Sequence, residues 1–339
     1  MSEQRARLAY LALAVSDPGA CVEVLHETLG LPLAAARIGR RRPVPLVRCG
    51  EAALALFAED DPFLWRDSGA ARHGRPVRGI HHLGLAAPDP AAAARDAGLP
   101  VVDGPSAGLD GRVQVTLAAG DTCGVRVRLT EPLDSGPGPI SQPTSGPTSG
   151  PTSGPTPGRS DLVERIDHVG VASEDNRRAS SIFIERLGCV YESEQTDSEI
   201  ETFAENFTSD RYGNVYQARE SAVTGSLRVT FLTVGDCELE LLQDLTGENR
   251  ARTGRHDRPG DTAGDRSAIA RFIARRGAGL HHLALKTPDV DAALRRLEAD
   301  GRRTIDHQGR PGSRRARIGF LHPATLGGLL VHLVEREAL

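Results

Sequence analysis

A phrase that occurs four times restricts this chain more than any other feature. Its clearest copy is Gly279-Leu280-His281-His282-Leu283-Ala284-Leu285-Lys286, followed by Thr287-Pro288-Asp289 and a helical run that ends at Gly301. Ile166-Asp167-His168-Val169-Gly170-Val171-Ala172 leads into Ser173-Glu174-Asp175-Asn176 and a run closing at Leu187-Gly188. Gly79-Ile80-His81-His82-Leu83-Gly84-Leu85 leads into Ala87-Pro88-Asp89-Pro90 and an alanine-rich run closing at Gly98. Leu8-Ala9-Tyr10-Leu11-Ala12-Leu13-Ala14-Val15 leads into Ser16-Asp17-Pro18 and a run closing at Leu29-Gly30. Each copy reads as an apolar strand, then a helix opened by Asp, Ser or Thr, usually with Pro near its first turn, and a glycine stop. Four copies in two pairs place the chain in the α+β class, as four modules of a strand, a helix and further strands.

Between the copies, alternating apolar and polar residues mark the other strands. They are expected at Pro45-Leu46-Val47-Arg48-Cys49, at Ala53-Leu54-Ala55-Leu56-Phe57, near 113–117 and 125–129, and in a hairpin of 227–232 with 237–242 around Val234-Gly235-Asp236. The last strands fall near 316–320 and 329–334. The two pairs of modules are separated by Pro143-Thr144-Ser145-Gly146, repeated as far as Gly154 and ending Pro155-Thr156-Pro157-Gly158. Such a stretch has nothing to bury and reads as a spacer, a fuller explanation than a ligand for a proline-binding module. The expected organisation is a first domain over 1–132, a linker over 133–160 and a second domain over 161–339. Two long polar segments, Thr196 to Thr224 and Asp244 to Asp265, interrupt the second domain, and long loops in compact domains are either functional or disordered.

Composition narrows the function classes. Only 4% of residues are aromatic and the formal net charge is −4, so neither base stacking nor electrostatic attraction supports a nucleic-acid partner. No run is long and apolar enough for a transmembrane span, and Met1-Ser2-Glu3-Gln4-Arg5 opens nothing like a signal peptide, so a cytoplasmic location is expected and a membrane partner is not. Five cysteines without Cys-x-x-Cys spacing read as reduced, mostly buried thiols.

The functional candidates come from interrupted alternation. In a strand, neighbouring side chains point to opposite faces, so of each adjacent histidine pair only one can look into a given surface. His281 and His81 are the expected outward neighbours. In the second half His168, Glu240, His282 and His332 each place one polar group in an apolar register, at equivalent positions of their modules. Taken singly, Glu240 reads equally as an outward charge and His332 as an ordinary core residue. Recurrence favours a shared role, and imidazole nitrogens with a carboxylate suit a divalent ion, Co, Ni, Zn, Mn or Fe. At the corresponding places the first half has Tyr10, Ala55, His82 and Arg128, so it reads as a degenerate copy without metal ligands.

These phrases resemble the vicinal oxygen chelate superfamily, whose paired βαβββ modules form glyoxalase I, extradiol dioxygenases and fosfomycin resistance proteins. The resemblance implies four βαβββ modules in two domains, each a cupped mixed sheet with flanking helices. Residues 165 to 336 look most like methylmalonyl-CoA epimerase, through Asp167-His168-Val169-Gly170-Val171-Ala172, the hairpin Phe231 to Leu242, Gly279 to Leu285, and Ile318-Gly319-Phe320-Leu321-His322-Pro323 before Gly327-Gly328 and the last strand. Carried over, that family's metal ligands fall on His168, Glu240 and His282, with the fourth on His332, where the epimerase has Glu. The two-domain plan also resembles 4-hydroxyphenylpyruvate dioxygenase, which holds iron with two His and a Glu.

The resemblance implies a metal-dependent isomerase or epimerase that stabilises the enolate of a chelated carbonyl or acyl-CoA thioester. His332 is expected as ligand or base, and Glu201 and Glu205 are further base candidates. A non-haem iron dioxygenase and a small-molecule-binding or resistance protein are the alternatives. Arg250, Arg252, Arg255 and Arg258 are candidates for a coenzyme A phosphate, although a charge run more often forms a solvated face. A small-molecule substrate is the expected partner, and a homodimer is left open.

Overall fold

The computed structural model describes residues 6–39, 42–65, 78–133, 162–197, 201–202, 205–206, 217–218, 222–223, 227–245, 268–312, 314 and 316–336. The Pro/Thr/Ser/Gly spacer and Arg250, Arg252, Arg255 and Arg258 lie outside these residues. The chain forms two eight-stranded mixed sheets of the same plan.

The first sheet consists of β1 (Leu8–Val15), β2 (Leu33–Ile38), β3 (Arg42–Cys49), β4 (Ala52–Ala58), β5 (Gly79–Ala86), β6 (Val101–Ala107), β7 (Val113–Leu117) and β8 (Val127–Thr130), ordered β2-β3-β4-β1-β5-β8-β7-β6. The second contains β9 (Arg165–Ala172), β10 (Val190–Asp197), β15 (Leu227–Val234), β16 (Cys237–Asp244), β17 (Gly279–Lys286), β18 (Arg310–Pro311), β19 (Arg317–Phe320) and β20 (Val331–Glu335), ordered β10-β15-β16-β9-β17-β20-β19-β18. Between β10 and β15, the two-residue strands β11 (Glu201–Thr202), β12 (Glu205–Asn206), β13 (Gln217–Ala218) and β14 (Ala222–Val223) pair only with one another. In each module the first strand runs parallel to the last, β1 with β4, β5 with β8, β9 with β16 and β17 with β20. The two first strands of each domain meet antiparallel at the sheet centre. Two βαβββ modules thus make each cupped sheet, as the repeat implies.

The helix after each first strand starts in the same way four times. Asp17, Asp89, Asp175 and Asp289 sit in extended backbone at the N-cap, and each carboxylate accepts from the amide three residues on, Ala20, Ala92, Arg178 and Ala292. Of the Asp, Ser or Thr expected there, every copy uses Asp. Besides the two-residue β11–β14, the strands that the alternation does not reveal are β2, β6, β10 and β18, the second strand of each module. They are sheet-edge strands with largely exposed or polar side chains, such as Val101-Val102-Asp103-Gly104-Pro105-Ser106-Ala107, so no half-buried period marks them.

Alternation along the central strands sorts side chains onto two faces. Leu11, Leu13 and Val15 of β1 and Val169 and Val171 of β9 enter one apolar core together with Leu25, Leu29, Ala94, Phe183, Leu294 and Leu297 of the helical segments. Residues of both halves share this core, so the two sheets are packed into one body. Backbone bonds seal it, with Ala6 donating to Gly188 O at 2.8 Å, Gly235 to Ala6 O at 3.0 Å and Ser16 to Gly327 O at 3.1 Å. Gly50, with a φ of 70°, allows this approach, since a Cβ there would lie 2.7 Å from Arg165 Cβ.

The opposite face of each sheet has a different content in the two halves. In the first it is filled by Tyr10, Ala12, Ala14, Ala53, Ala55, Phe57 and Phe63. In the second, β9 places His168, Gly170 and Ala172 on the alternating positions, beside Phe231, Glu240 and Leu242.

Candidate metal centre

Strand register explains how four residues far apart in sequence meet. His168 lies opposite Glu238, which places Glu240 beside Gly170 on β9; across the antiparallel β9–β17 pair His282 also faces Gly170, and His332 lies beside Ala284. The equivalent register in the first sheet pairs Tyr10 with Ala53, Ala12 with His82 and Gly84 with Arg128. Tyr10, Ala55, His82 and Arg128 therefore occupy the places of His168, Glu240, His282 and His332.

The four side chains of the second half converge. His168 Nε2 lies 3.3 Å from His282 Nε2, and Glu240 Oε2 is 3.4 Å from the first and 3.2 Å from the second. A ligand atom of His332 completes a group of three imidazoles whose donor atoms all lie within 4.8 Å of one another. All four residues are buried, and they line one end of a cavity of about 180 Å³. Phe231, Leu242, Ile318 and Phe320 form its apolar wall, and Arg314 and Arg336 its charged margin.

Room for the His282 ring comes from Gly170. A Cβ at this position would come within 2.7 Å of His282 Nε2 and nearer still to Nδ1 and Cε1. The sequence contains this signal as a glycine inside an apolar strand, where the first copy of the phrase has Ala12.

Asp167 and Arg336 were not among the expected site residues, although Asp167 adjoins His168 in the repeated phrase. Asp167, fully buried, accepts a hydrogen bond from His168 Nδ1 at 2.8 Å, which directs Nε2 into the cluster. Arg336 stands 3.2 Å from the other Asp167 oxygen and 3.1 Å from Glu238, which also holds Arg314. Arg314, in left-handed backbone with φ 53°, stacks its guanidinium 3.5 Å above the Phe231 ring. His281 faces away from the cluster as alternation requires, yet it is not a bystander: its Nδ1 lies 3.1 Å from His282 Nδ1.

Charge is distributed accordingly. Burial pushes the Glu240 carboxyl up, but the His168 charge and the His282 contact outweigh it and hold the group down at about 2. For His168 burial favours the neutral ring, and Glu240 and Asp167 reverse this, raising its pKa. His282 is lowered, chiefly by burial, and His332 is held well below the ordinary value by burial and by the other two histidines.

The donor set fits a divalent metal ion. His332 Nδ1 is buried without a hydrogen-bond partner, and Glu240 Oε2 and the Nε2 atoms of His168 and His282 crowd around one locus where imidazole and carboxylate donors suit a first-row cation. The other two base candidates are not brought there by any described contact. Glu201 and Glu205 belong by backbone to β11 and β12, and their side chains lie outside the described residues. No helix among the described residues is long and apolar enough to cross a membrane, and all five cysteines are free thiols.

Residues 167–320 match the model of the Glyoxalase/Bleomycin resistance protein/Dioxygenase superfamily. Over 172 residues, 50% of this chain and 72% of the relative, the chain is 26% identical to the mitochondrial methylmalonyl-CoA epimerase of Mus musculus. It is 24% identical over 173 residues to the uncharacterized protein YqjC of Bacillus subtilis, covering 51% of this chain and 93% of that one. A solved variant of 4-hydroxymandelate synthase from Streptomyces coelicolor shares the fold across both halves, with a TM-score of 0.58 and 17% identity over 98% of this chain and 93% of the other. Residues 167–320 of the second half thus match the glyoxalase/bleomycin resistance protein/dioxygenase superfamily model, and the two eight-stranded sheets share the fold of that synthase across both halves.

Proposed function

We propose that the chain is a metal-dependent enzyme of the isomerase or epimerase type, acting on a small carbonyl compound or acyl-CoA thioester. Domain boundaries near 132 and 161, with ligands only in the second domain, belong to this reading. His168, Glu240, His282 and His332 are its metal ligands, and the ion, when bound, acts as a Lewis acid toward a carbonyl oxygen.

The observation that carries the reading is the number of donors. The donor atoms of three histidines lie within 4.8 Å of one another and Glu240 Oε2 adjoins two of them, whereas an oxygenase of the two-His-one-carboxylate kind uses three protein ligands and keeps further positions for oxygen. With these residues holding the ion, it would supply Lewis-acid stabilisation to a substrate that chelates through its oxygens. The 26% identity to a methylmalonyl-CoA epimerase supports the same direction, and the acyl-CoA class enters from that relative alone.

The residues around the donors suit stabilisation of an oxyanion. Phe231, Leu242, Ile318 and Phe320 exclude water from one wall, which strengthens electrostatic contacts to charge developing next to the donors. Asp167 fixes the orientation of His168, and Arg336 holds Asp167. A cavity of about 180 Å³ admits the reacting end of a substrate rather than a whole nucleotide. Glu201 and Glu205 are the candidates for the base that removes an α-proton, and His332 would take that role in place of a ligand's where the other three residues hold the ion.

Metal analysis of protein purified without chelator, beside a His168→Ala/His282→Ala variant, tests the ligands. One cobalt, nickel, zinc or manganese per chain, lost in the variant, followed by solvent deuterium appearing at the α-carbon of an acyl-CoA thioester, is the expected result. Iron with oxygen uptake would replace the reading by the dioxygenase. No metal in either protein after reconstitution would leave a binding protein on the same fold.

A further inference from the structure

Two histidine pairs occupy equivalent places at the sheet centres, His81-His82 on β5 and His281-His282 on β17. The strand register skips His81 and His281, so each is the extra residue of a β-bulge. That kink lets neighbouring rings meet, although a regular strand would turn them to opposite faces. His81 Nδ1 lies 2.8 Å from His82 Nδ1, and His281 Nδ1 lies 3.1 Å from His282 Nδ1. The rings are nearly perpendicular in both pairs, at 85° and 87°. Each contact joins two Nδ1 atoms, so one ring must donate and the other accept.

In the first half the direction is fixed from outside the pair. Arg126, just before β8, places Nη1 2.9 Å from His81 Nε2. A guanidinium has donors only, so His81 Nε2 must present a lone pair, and the ring proton sits on Nδ1. His81 Nδ1 therefore donates to His82 Nδ1, and the proton of His82 sits on Nε2, which donates to the Tyr10 hydroxyl at 3.0 Å. Burial, aided by Arg126 and Arg128, holds both rings well below the ordinary imidazole pKa, in keeping with one proton on each. A proton thus occupies the one nitrogen of His82 that matches the metal-facing Nε2 of His282.

The second half has a different residue at the controlling place. The Leu83 amide donates to Arg126 O at 3.0 Å and the Leu283 amide to Leu330 O at 3.0 Å, so Leu330 stands where Arg126 does. Leu330 lines one cavity with His281, and its side chain has no proton to give. His281 Nδ1 can then accept from His282 Nδ1, serving that ring as Asp167 serves His168. The lone pair of His282 is left on Nε2, beside Glu240 and His168.

We infer that Arg126 and Leu330 are positioning residues that set opposite directions in the two histidine pairs, and that this direction decides which inner histidine can offer Nε2 to a metal ion: His282 can and His82 cannot. For the second half this rests on the metal reading above, and for the first half it stands without it.

Proton–nitrogen correlation spectra of the full chain, with signals assigned by single His→Ala variants, report which ring nitrogen carries the proton. In the wild type the expected sites are Nδ1 of His81 and Nε2 of His82, and Nδ1 of His282 once zinc is bound. Arg126→Leu should release the His82 proton to both nitrogens, and Arg126→Lys, which still donates, should keep it on Nε2. Leu330→Arg should place the His281 proton on Nδ1 and the metal-free His282 proton on Nε2, and should weaken zinc binding by roughly 10–100-fold in competition against a chromogenic chelator. Leu330→Met, of similar size and without a donor, should keep the wild-type pattern and affinity. A wild-type His82 proton on Nδ1, or a His82 pattern indifferent to Arg126→Leu, would overturn the assignment. So would a His281 proton unmoved by Leu330→Arg, whatever the zinc affinity, since the added charge alone would then account for any loss. If Leu330→Arg fails to fold in a thermal scan, the Arg126 variants decide alone. Protein that takes up no zinc would refute the metal reading and leave the ring protons, which need no metal, to decide this one.

Discussion

Replacing Gly170 by alanine should remove the metal and leave the fold. The Cβ would stand 2.7 Å from His282 Nε2 and closer to two other ring atoms. Non-bonded carbons settle at about 3.5–4.0 Å, so the ring must withdraw by ~1 Å. Metal–ligand distances tolerate only about ±0.2 Å, and such a shift takes His282 out of the donor set. Loss of an orienting contact alone costs roughly 10–100-fold in metal affinity, so displacement of the donor itself should cost ~100-fold or more. Stability of the metal-free protein should change little by comparison. The added methyl costs about 1–3 kcal/mol of overpacking, partly offset by about 0.4–1 kcal/mol from the stiffer unfolded chain. Competition against a chromogenic chelator measures the affinity, and thermal unfolding in chelator measures the stability. The decisive comparison is a cycle with His282→Ala: once the ring is gone, Gly170→Ala should cost nothing further. Wild-type affinity in Gly170→Ala, or an undiminished cost in the His282→Ala background, would refute the argument.

Three further outcomes are expected. Asp167→Asn should weaken metal binding by roughly 10–100-fold because His168 loses the partner that fixes its ring, and an unchanged affinity would show that the ring is held otherwise. The raised pKa of His168 and the depressed pKa of Glu240, at about 2, give the metal-free protein opposite pH trends. His168 contributes stability that is complete below 6.5 and lost as pH rises through its raised value, and Glu240 contributes stability present above 4.5 and lost as pH falls toward about 2. Near neutrality metal uptake should therefore release a proton from His168 and strengthen as pH rises; calorimetric heats that do not change with the buffer's protonation enthalpy would contradict this. Phe183→Ala, at a fully buried position of the shared core, should destabilise by about 3–5 kcal/mol in denaturant unfolding, and a cost under ~1 kcal/mol would mean that this core is not close-packed.

The sequence makes the repeat and the donors legible for the same reason. A phrase in which apolar residues alternate with one polar interruption needs only the period of a strand to be read, and His168, Glu240, His282 and His332 lie at such interruptions. Edge strands β2, β6 and β10 carry no such period, because neither of their faces is consistently buried. Asp167 was hidden by the same alternation that revealed His168, since a neighbour on a strand is expected to face away; its short side chain instead curls back onto the ring. Arg314 and Arg336 follow β18 and β20, and only the folded chain shows that Glu238 draws both together.

The single apolar core that runs through both halves makes the first domain something other than a spare copy. Its Leu11, Leu13 and Val15 are packed in the same cluster as Val169, Val171 and Leu283, the residues that alternate with or adjoin the donors on β9 and β17. The first half thus acts as a subunit permanently tethered to its partner, at an effective concentration that a separate chain reaches only at about millimolar levels. A protease cut in the Pro/Thr/Ser/Gly spacer should give two fragments that still migrate together, with the donor cluster intact. The second half made alone would expose that apolar face and lose the backing that keeps its central strands in register.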